Sequence, residues 1–234
     1  MLDERGDEFA EIMNKEMGKP VFEGKREAMF TTLGIRAVIK QAEDALKPTL
    51  VDMGFKKAMT VYQPLGVIYS IPPWNFPLII PLQSNIQSML AGNTVLYKPA
   101  PNTPQTAQLL EKLFEDAGFG NGEFTLTYAS TDDTDFIIGH HHIRGVNFTG
   151  STAAGKMVAQ ICGKHMKKCQ FELGGSDPFI VLDDADLDKA VMLAVIARLV
   201  NCGQACNSPK RIIVLNEVYN EFKEKLIDSI AKTL

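Results

Sequence analysis

The sequence predicts an α/β protein built on a parallel sheet with helices on both faces. Two observations lead there. From Thr94 onward, short strand-like segments alternate with helical ones, and the turns between them are short. Such alternation is the signature of crossover connections within one parallel sheet. An apolar content of 45% with 22% charged residues is that of an ordinary globular chain, so this pattern describes a packed core and not a disordered tail. No internal repeat and no low-complexity linker interrupts it.

Residues 3–17 carry Phe9, Ile12, Met13 and Met17 at helical spacing, and Gly18-Lys19-Pro20 stops that helix. A longer helix fits 22–46, with Gly34 in its middle. Residues 58–71 alternate and are rich in Val, Tyr and Ile, so they read as strand, broken at Gln63-Pro64. Then follow strand Thr94–Tyr97, helix Pro104–Ala117, strand Phe124–Tyr128 and a short helix Asp132–Ile138. Strand Gly145–Phe148, helix Thr152–Cys162 and strand Cys169–Glu172 continue the alternation. Strand Phe179–Leu182, helix Leu187–Asn201, strand Arg211–Leu215 and helix Val218–Lys232 close it. The Gly174-Gly175 pair is the expected hinge between residues 1–173 and 174–234, because two glycines absorb a large backbone change.

A net charge of −4 gives no reason to expect nucleic acid or an anionic membrane as partner. The acidic N-terminus has neither an apolar core nor the Arg-rich character of a targeting peptide. The most apolar window, Val191–Val200, is too short for a bilayer and contains Arg198. Four cysteines in a chain this size form no disulfide framework, so a reducing cytoplasm is the expected setting.

Cys206 stands in a loop of Gly203, Gln204, Asn207, Ser208 and Pro209, not on a core face. A thiol there can attack a carbonyl carbon. Cys202 falls on the preceding predicted helix and reads as structural. Upstream, Glu172 is expected on a mostly buried strand, where a carboxylate needs a partner or a raised pKa and can serve as a general base. The alternative is a strand-end Glu reaching solvent. Pro72-Pro73-Trp74-Asn75-Phe76-Pro77 pins one amide side chain in a stiff backbone. That suits an oxyanion donor, although an Asn satisfying its own turn would look similar. Lys98 ends a strand, where ligands sit in open α/β sheets, or is a solvated surface lysine. Gly150-Ser151-Thr152-Ala153-Ala154-Gly155 joins a strand to a helix. It suits a phosphate at the helix N-terminus or a simple Ser cap. His140-His141-His142 resembles a metal cluster, but consecutive residues point apart, and a polar loop is the better reading. No second Cys/His pair has zinc spacing.

Taken in order, five motifs resemble the aldehyde dehydrogenase superfamily. They are Trp74-Asn75-Phe76-Pro77, Gly92-Asn-Thr-Val-Leu-Tyr-Lys98-Pro99, Phe148-Thr149-Gly150-Ser151-Thr152 with Gly155, Phe171-Glu172-Leu173-Gly174-Gly175, and Gly203-Gln204-Ala205-Cys206. The wording of residues 172–181 is most similar to the succinate-semialdehyde dehydrogenase branch. The resemblance implies a Rossmann-like cofactor domain over residues 1–173 and the start of a second α/β, catalytic domain over 174–234. It implies NAD(P)-dependent oxidation of a small aldehyde, with Cys206 as nucleophile, Asn75 as oxyanion donor together with the Cys206 N–H, and Glu172 as base for the hydrolytic water. Lys98 would meet the adenosine ribose, and Gly150 and Ser151 the pyrophosphate. Trp74 and Thr149 would line the cofactor cleft, with Leu173 and Gly174 near the nicotinamide.

Pro101 occupies a position where relatives that prefer NAD often carry Glu, so either NAD or NADP is expected as cofactor. Compared with the family, the sequence reads as a partial chain. It lacks an N-terminal segment and the later Glu-x-Phe-Gly-Pro motif, while residues 48–62 resemble part of the family's oligomerisation hairpin. Family members form homodimers or homotetramers. Two other readings compete: an inactive remnant that at most binds nucleotide or a protein partner, and an acyl-transferring or phosphorylating enzyme. Glu172, as a water-activating base, argues against the latter.

Overall fold

The computed structural model describes residues 1–52, 54, 57–120 and 122–233. The chain divides into two compact units, Met1–Leu173 and Gly174–Leu234.

The first unit opens with α1 (Gly6–Met17), which buries Phe9, Ala10 and Met13. It ends on Gly18 at φ +78°, a left-handed cap that lets the Gly18 amide reach Asn14 O. The helix starts later than its apolar spacing suggests, because the preceding residues form a turn. Next, α2 (Val21–Ala45) continues through Gly34 without a break. β1 (Thr49–Asp52) and β2 (Lys57–Thr60) form an antiparallel pair. Residues 53, 55 and 56 of the expected hairpin lie outside the described residues.

β3 (Val67–Ile71), β4 (Thr94–Tyr97), β5 (Phe124–Leu126), β6 (Ile143–Thr149) and β7 (Lys168–Glu172) make one parallel sheet in the order β5-β4-β3-β6-β7. Between them run α3 (Ile79–Leu90), α4 (Pro104–Asp116), α5 (Thr134–Gly139) and α6 (Thr152–Lys164). α3 is an addition to the sequence reading. Its segment contains Pro81, but Pro81 is the third residue of the helix, where an N–H has no intrahelical partner to lose.

Both faces of the sheet are covered. Val95, Tyr97 and Phe124 pack with Phe9, Leu82 and Leu110 in one core cluster. Tyr69, Val146 and Phe148 pack with Ile138, Val158 and Cys162 in another. Leu96, between Val95 and Tyr97, joins the second cluster, as the two-residue period of a strand requires.

This strand order creates a switch point. From β3 the chain winds outward through β4 to β5, then returns to β6 and winds the other way to β7. At the carboxyl ends of β3 and β6 the connections diverge, which opens the crevice where open α/β sheets take ligands.

The second unit contains β8 (Asp177–Val181), α7 (Leu187–Leu199), β9 (Pro209–Val214) and α8 (Asn216–Thr233). β8 and β9 pair in parallel. Val181, Val191, Ala194 and Phe222 form its core. Asp186 caps α7 by accepting from the Lys189 amide at 3.1 Å. Among the described residues no helix is long and apolar enough to cross a membrane.

Candidate active site

Within the first unit, the expected site residues gather at the carboxyl edge of the five-stranded sheet. Trp74 and Asn75 follow β3, Lys98 follows β4, Thr149 ends β6 and is followed by Gly150 and Ser151, and Glu172 and Leu173 close β7. Residues far apart in sequence become neighbours along one edge because all five strands run the same way.

Trp74 is 40% exposed, and Asn75 beside it is half-buried. Pro72 and Pro77, on either side, are buried, so the backbone of this turn has little freedom. Lys98 extends the ladder past β4 by donating its amide to Ser70 O at 2.9 Å. Its side chain is half-buried, and desolvation holds its ammonium below the usual lysine pKa. Its Nζ lies 3.4 Å from Pro99 O.

Thr149 pairs with Glu172 across β6 and β7. Ser151 is the N-cap of α6, its hydroxyl accepting from the Ala154 amide at 3.2 Å. The simple capping role is therefore present, and the helix N-terminus lies at the switch-point edge as well. At Gly150, a Cβ would come within 2.7 Å of the Phe148 ring, so only glycine keeps this turn tight. A Cβ on Gly155 would meet Leu173 Cδ2 at 2.5 Å, which ties the first turn of α6 to the residue after Glu172.

Glu172 corrects an expectation. It is exposed, and β7 is largely exposed along its length apart from the half-buried Phe171. Among the described residues β7 is an outer strand of the sheet and pairs with β6 alone, which leaves this carboxylate open to solvent.

Cys206 belongs to the second unit and is exposed. Its loop is braced by two cations. Lys210 Nζ donates to the carbonyls of Ala205 at 3.2 Å, Cys206 at 2.6 Å and Ser208 at 3.1 Å. Arg198 reaches Gly203 O at 3.1 Å and Ser208 Oγ at 2.8 Å. Gly174 opens this unit, and a Cβ on its neighbour Gly175 would lie 3.9 Å from Cys206 O.

Cys202 differs from its expected place on the preceding helix. α7 ends at Leu199, and Asn201 and Cys202 take left-handed conformations with φ +54° and +55°. Gly203 follows at φ +75°. Cys202 is therefore exposed in a turn, not packed on a helix.

Sequence reasoning saw Arg198 only as a charge in an apolar window and missed both it and Lys210 as braces of the loop, because isolated cations carry no pattern of their own. It also passed over Lys19 and Glu27, whose buried pairing joins residues from different elements. Lys19 lies in the Gly18-Lys19-Pro20 connection and Glu27 within α2, so no shared helical spacing links them. Contrary to the expectation that they point apart, the rings of His140, His141 and His142 lie close together at tilted angles, the closest pair of centroids being 3.9 Å apart. Among the described residues no group of three His, Cys, Asp or Glu side chains is arranged to hold a metal ion.

The model of the aldehyde dehydrogenase family matches residues 1–234. The chain belongs to the aldehyde dehydrogenase family. A succinate-semialdehyde dehydrogenase [NADP(+)] of Deinococcus radiodurans is 41% identical over 223 residues, which are 95% of this chain and 47% of that protein. The succinate semialdehyde dehydrogenase [NAD(P)+] Sad of Escherichia coli K12 is 39% identical over 97% of this chain and 49% of its own length. Among solved structures, a succinic semialdehyde dehydrogenase from Streptococcus pyogenes in complex with NADP+ superposes with a TM-score of 0.94. It is 34% identical over 99% of this chain and 54% of its own. Gox0499 superposes with a TM-score of 0.96 at 41% identity, over 98% of this chain and 50% of its own. This aldehyde dehydrogenase chain thus spans about half the length of the curated relatives it matches.

Proposed function

We propose that this chain serves the NAD(P)-dependent oxidation of a small semialdehyde, succinate semialdehyde foremost, to its carboxylate. The observation that carries the proposal is the gathering of Asn75, Lys98, Gly150, Ser151 and Glu172 at one sheet edge, beside the β3/β6 switch point, in a member of this family. Relatives named for succinate semialdehyde support the substrate class.

In this reading the Cys206 thiolate adds to the aldehyde carbon and forms a thiohemiacetal. The side-chain amide of Asn75 and the Cys206 N–H donate to the developing oxyanion. When bound, the dinucleotide supplies a hydride acceptor. The resulting thioester on Cys206 is hydrolysed by a water whose proton passes to Glu172, and the thiolate leaves as the carboxylate forms.

The residues suit a dinucleotide. The half-buried Lys98 fits ribose hydroxyls, and the N-terminus of α6 behind Gly150 and Ser151 fits a pyrophosphate. Thr149, Trp74, Leu173 and Gly174 would border it. Residues 1–173 are assigned the cofactor and residues 174–234 the nucleophile. The β1–β2 pair, with β1 exposed along its length, suits homo-oligomer formation, and a cytoplasmic setting suits four cysteines outside any disulfide.

The test is NAD(P)H formation, followed at 340 nm, from succinate semialdehyde with each dinucleotide. Turnover that disappears in Cys206→Ala supports the reading. Turnover that survives the substitution sinks it. Dinucleotide binding without turnover would favour a nucleotide-binding chain instead.

A further inference from the structure

We propose that Lys19 and Glu27 are positioning residues that set the Asn75 turn, an inference that rests on the oxyanion role assigned to Asn75. Both side chains are almost fully buried, at 1% and 2% exposure, and they pair with each other. A buried ion pair adds little net stability compared with an apolar pair of the same shape. Its use must lie in what else the two charges hold.

Glu27 divides its carboxylate. One oxygen pairs with Lys19, while the other accepts the amide of Leu78 at 3.0 Å and that of Ile79 at 2.9 Å. Those amides open α3 and have no partner within the helix. Lys19 in turn places its ammonium 4.4 Å from the centroid of the Phe76 ring, a cation–π contact. Its own backbone is anchored, with Asn14 Nδ2 donating to Lys19 O at 2.9 Å.

The two charges therefore grip residues 76, 78 and 79, while the buried Pro77 stiffens the residue between them. On the other side of Asn75 stand Pro72 and Pro73. Asn75 sits where the proline-stiffened entry meets this ionic grip. An oxyanion donor works through preorganisation, so a grip on its backbone acts on the transition state without touching substrate.

Trp74, the single tryptophan of the chain and the neighbour of Asn75, reports on this turn directly. Removing one charge leaves the other buried and alone, so the informative variant is the double Lys19→Met/Glu27→Leu, which removes both charges and the oxygen that accepts the Leu78 and Ile79 amides. At urea concentrations well below its unfolding midpoint it is expected to show a higher acrylamide quenching constant and a lower anisotropy for Trp74. Val158→Ala, a truncation in the separate core cluster, should lower the midpoint and leave the Trp74 readings unchanged. Wild-type quenching and anisotropy in the double variant would overturn the proposal.

A second measurement needs no variant. In the unmodified chain the Leu78 and Ile79 amides should exchange hydrogen as slowly as the interior of α3. Exchange at the rate of open amides would equally overturn the grip. Where turnover is measurable, the double variant should lose roughly ten- to a hundredfold in kcat with KM little changed. A loosened Trp74 with unchanged kcat would support the grip and overturn the role given to Asn75.

Discussion

The amide of Gly150 donates to the carbonyl of Glu172 across 3.0 Å, one step beyond the pairing of Thr149 with Glu172. At this point the turn before α6 and the end of the edge strand are joined main chain to main chain. Side-chain changes at Glu172 leave that bond in place, which separates its chemistry from its structural setting.

Glu172→Gln should therefore fold normally and still bind dinucleotide. With no base for the hydrolytic water, turnover should fall by about 10²–10⁴-fold. An acyl group should then accumulate on Cys206, visible as added mass on the intact protein. Absence of that adduct together with full turnover would count against Glu172 as the base.

Pro101 lies exposed in the turn after β4, three residues beyond Lys98. A neutral residue there offers no repulsion to a 2′-phosphate. NADP should accordingly be accepted, and Pro101→Glu should weaken NADP relative to NAD by roughly tenfold, or about 1.4 kcal/mol. Side-by-side titrations of the two dinucleotides check both statements.

Two glycines on α2 should respond in opposite directions. A Cβ on Gly24 would fall 2.7 Å from Ala10 Cα and 2.8 Å from Ala10 Cβ, so Gly24→Ala forces α1 and α2 apart. The expected cost is about 1–3 kcal/mol. At Gly34 nothing lies within 4 Å, and Gly34→Ala should stabilise by about 0.5–1 kcal/mol. Urea unfolding midpoints measure both.

Burial pushes the Cys162 thiol up to about 12, and the nearby Cys169 adds to the rise. The folded state thus holds this proton more tightly than the unfolded one, whose thiol keeps an ordinary pKa of about 8.5. The associated stability is complete below that value and is lost as pH climbs through about 12. At pH 8, iodoacetamide should modify the exposed Cys169, Cys202 and Cys206, while Cys162 reacts only after unfolding. Peptide masses would show the order.

The alternation of strands and helices from Thr94 onward was legible because each element is short, locally patterned and bounded by turn residues. α3 was not, because Pro81 reads as a breaker unless its place in the first turn is known. The motif residues at the sheet edge were legible one by one, and their adjacency follows from the parallel order of the strands. The exposure of Glu172 was hidden, since a strand flanked by Phe171 and Leu173 looks internal until its position at the sheet edge is seen. The pairing of Lys19 with Glu27 was equally hidden. Lys19 stands between α1 and α2, and nothing in the periodicity of α2 tells which distant amides the buried carboxylate of Glu27 will cap.

Asn201, Cys202 and Gly203 reverse the hand of the chain just after α7. A right-handed helix that ran on would transmit its rotational phase to whatever follows, each inserted or deleted residue turning the next side chain by about 100°. Three left-handed residues break that transmission. Beyond that break, Lys210 on β9 holds the Cys206 carbonyl, while Arg198 in the last turn of α7 holds the Gly203 carbonyl. The rest of the α7 surface is free to vary in sequence, provided that Arg198 keeps its place beside the loop.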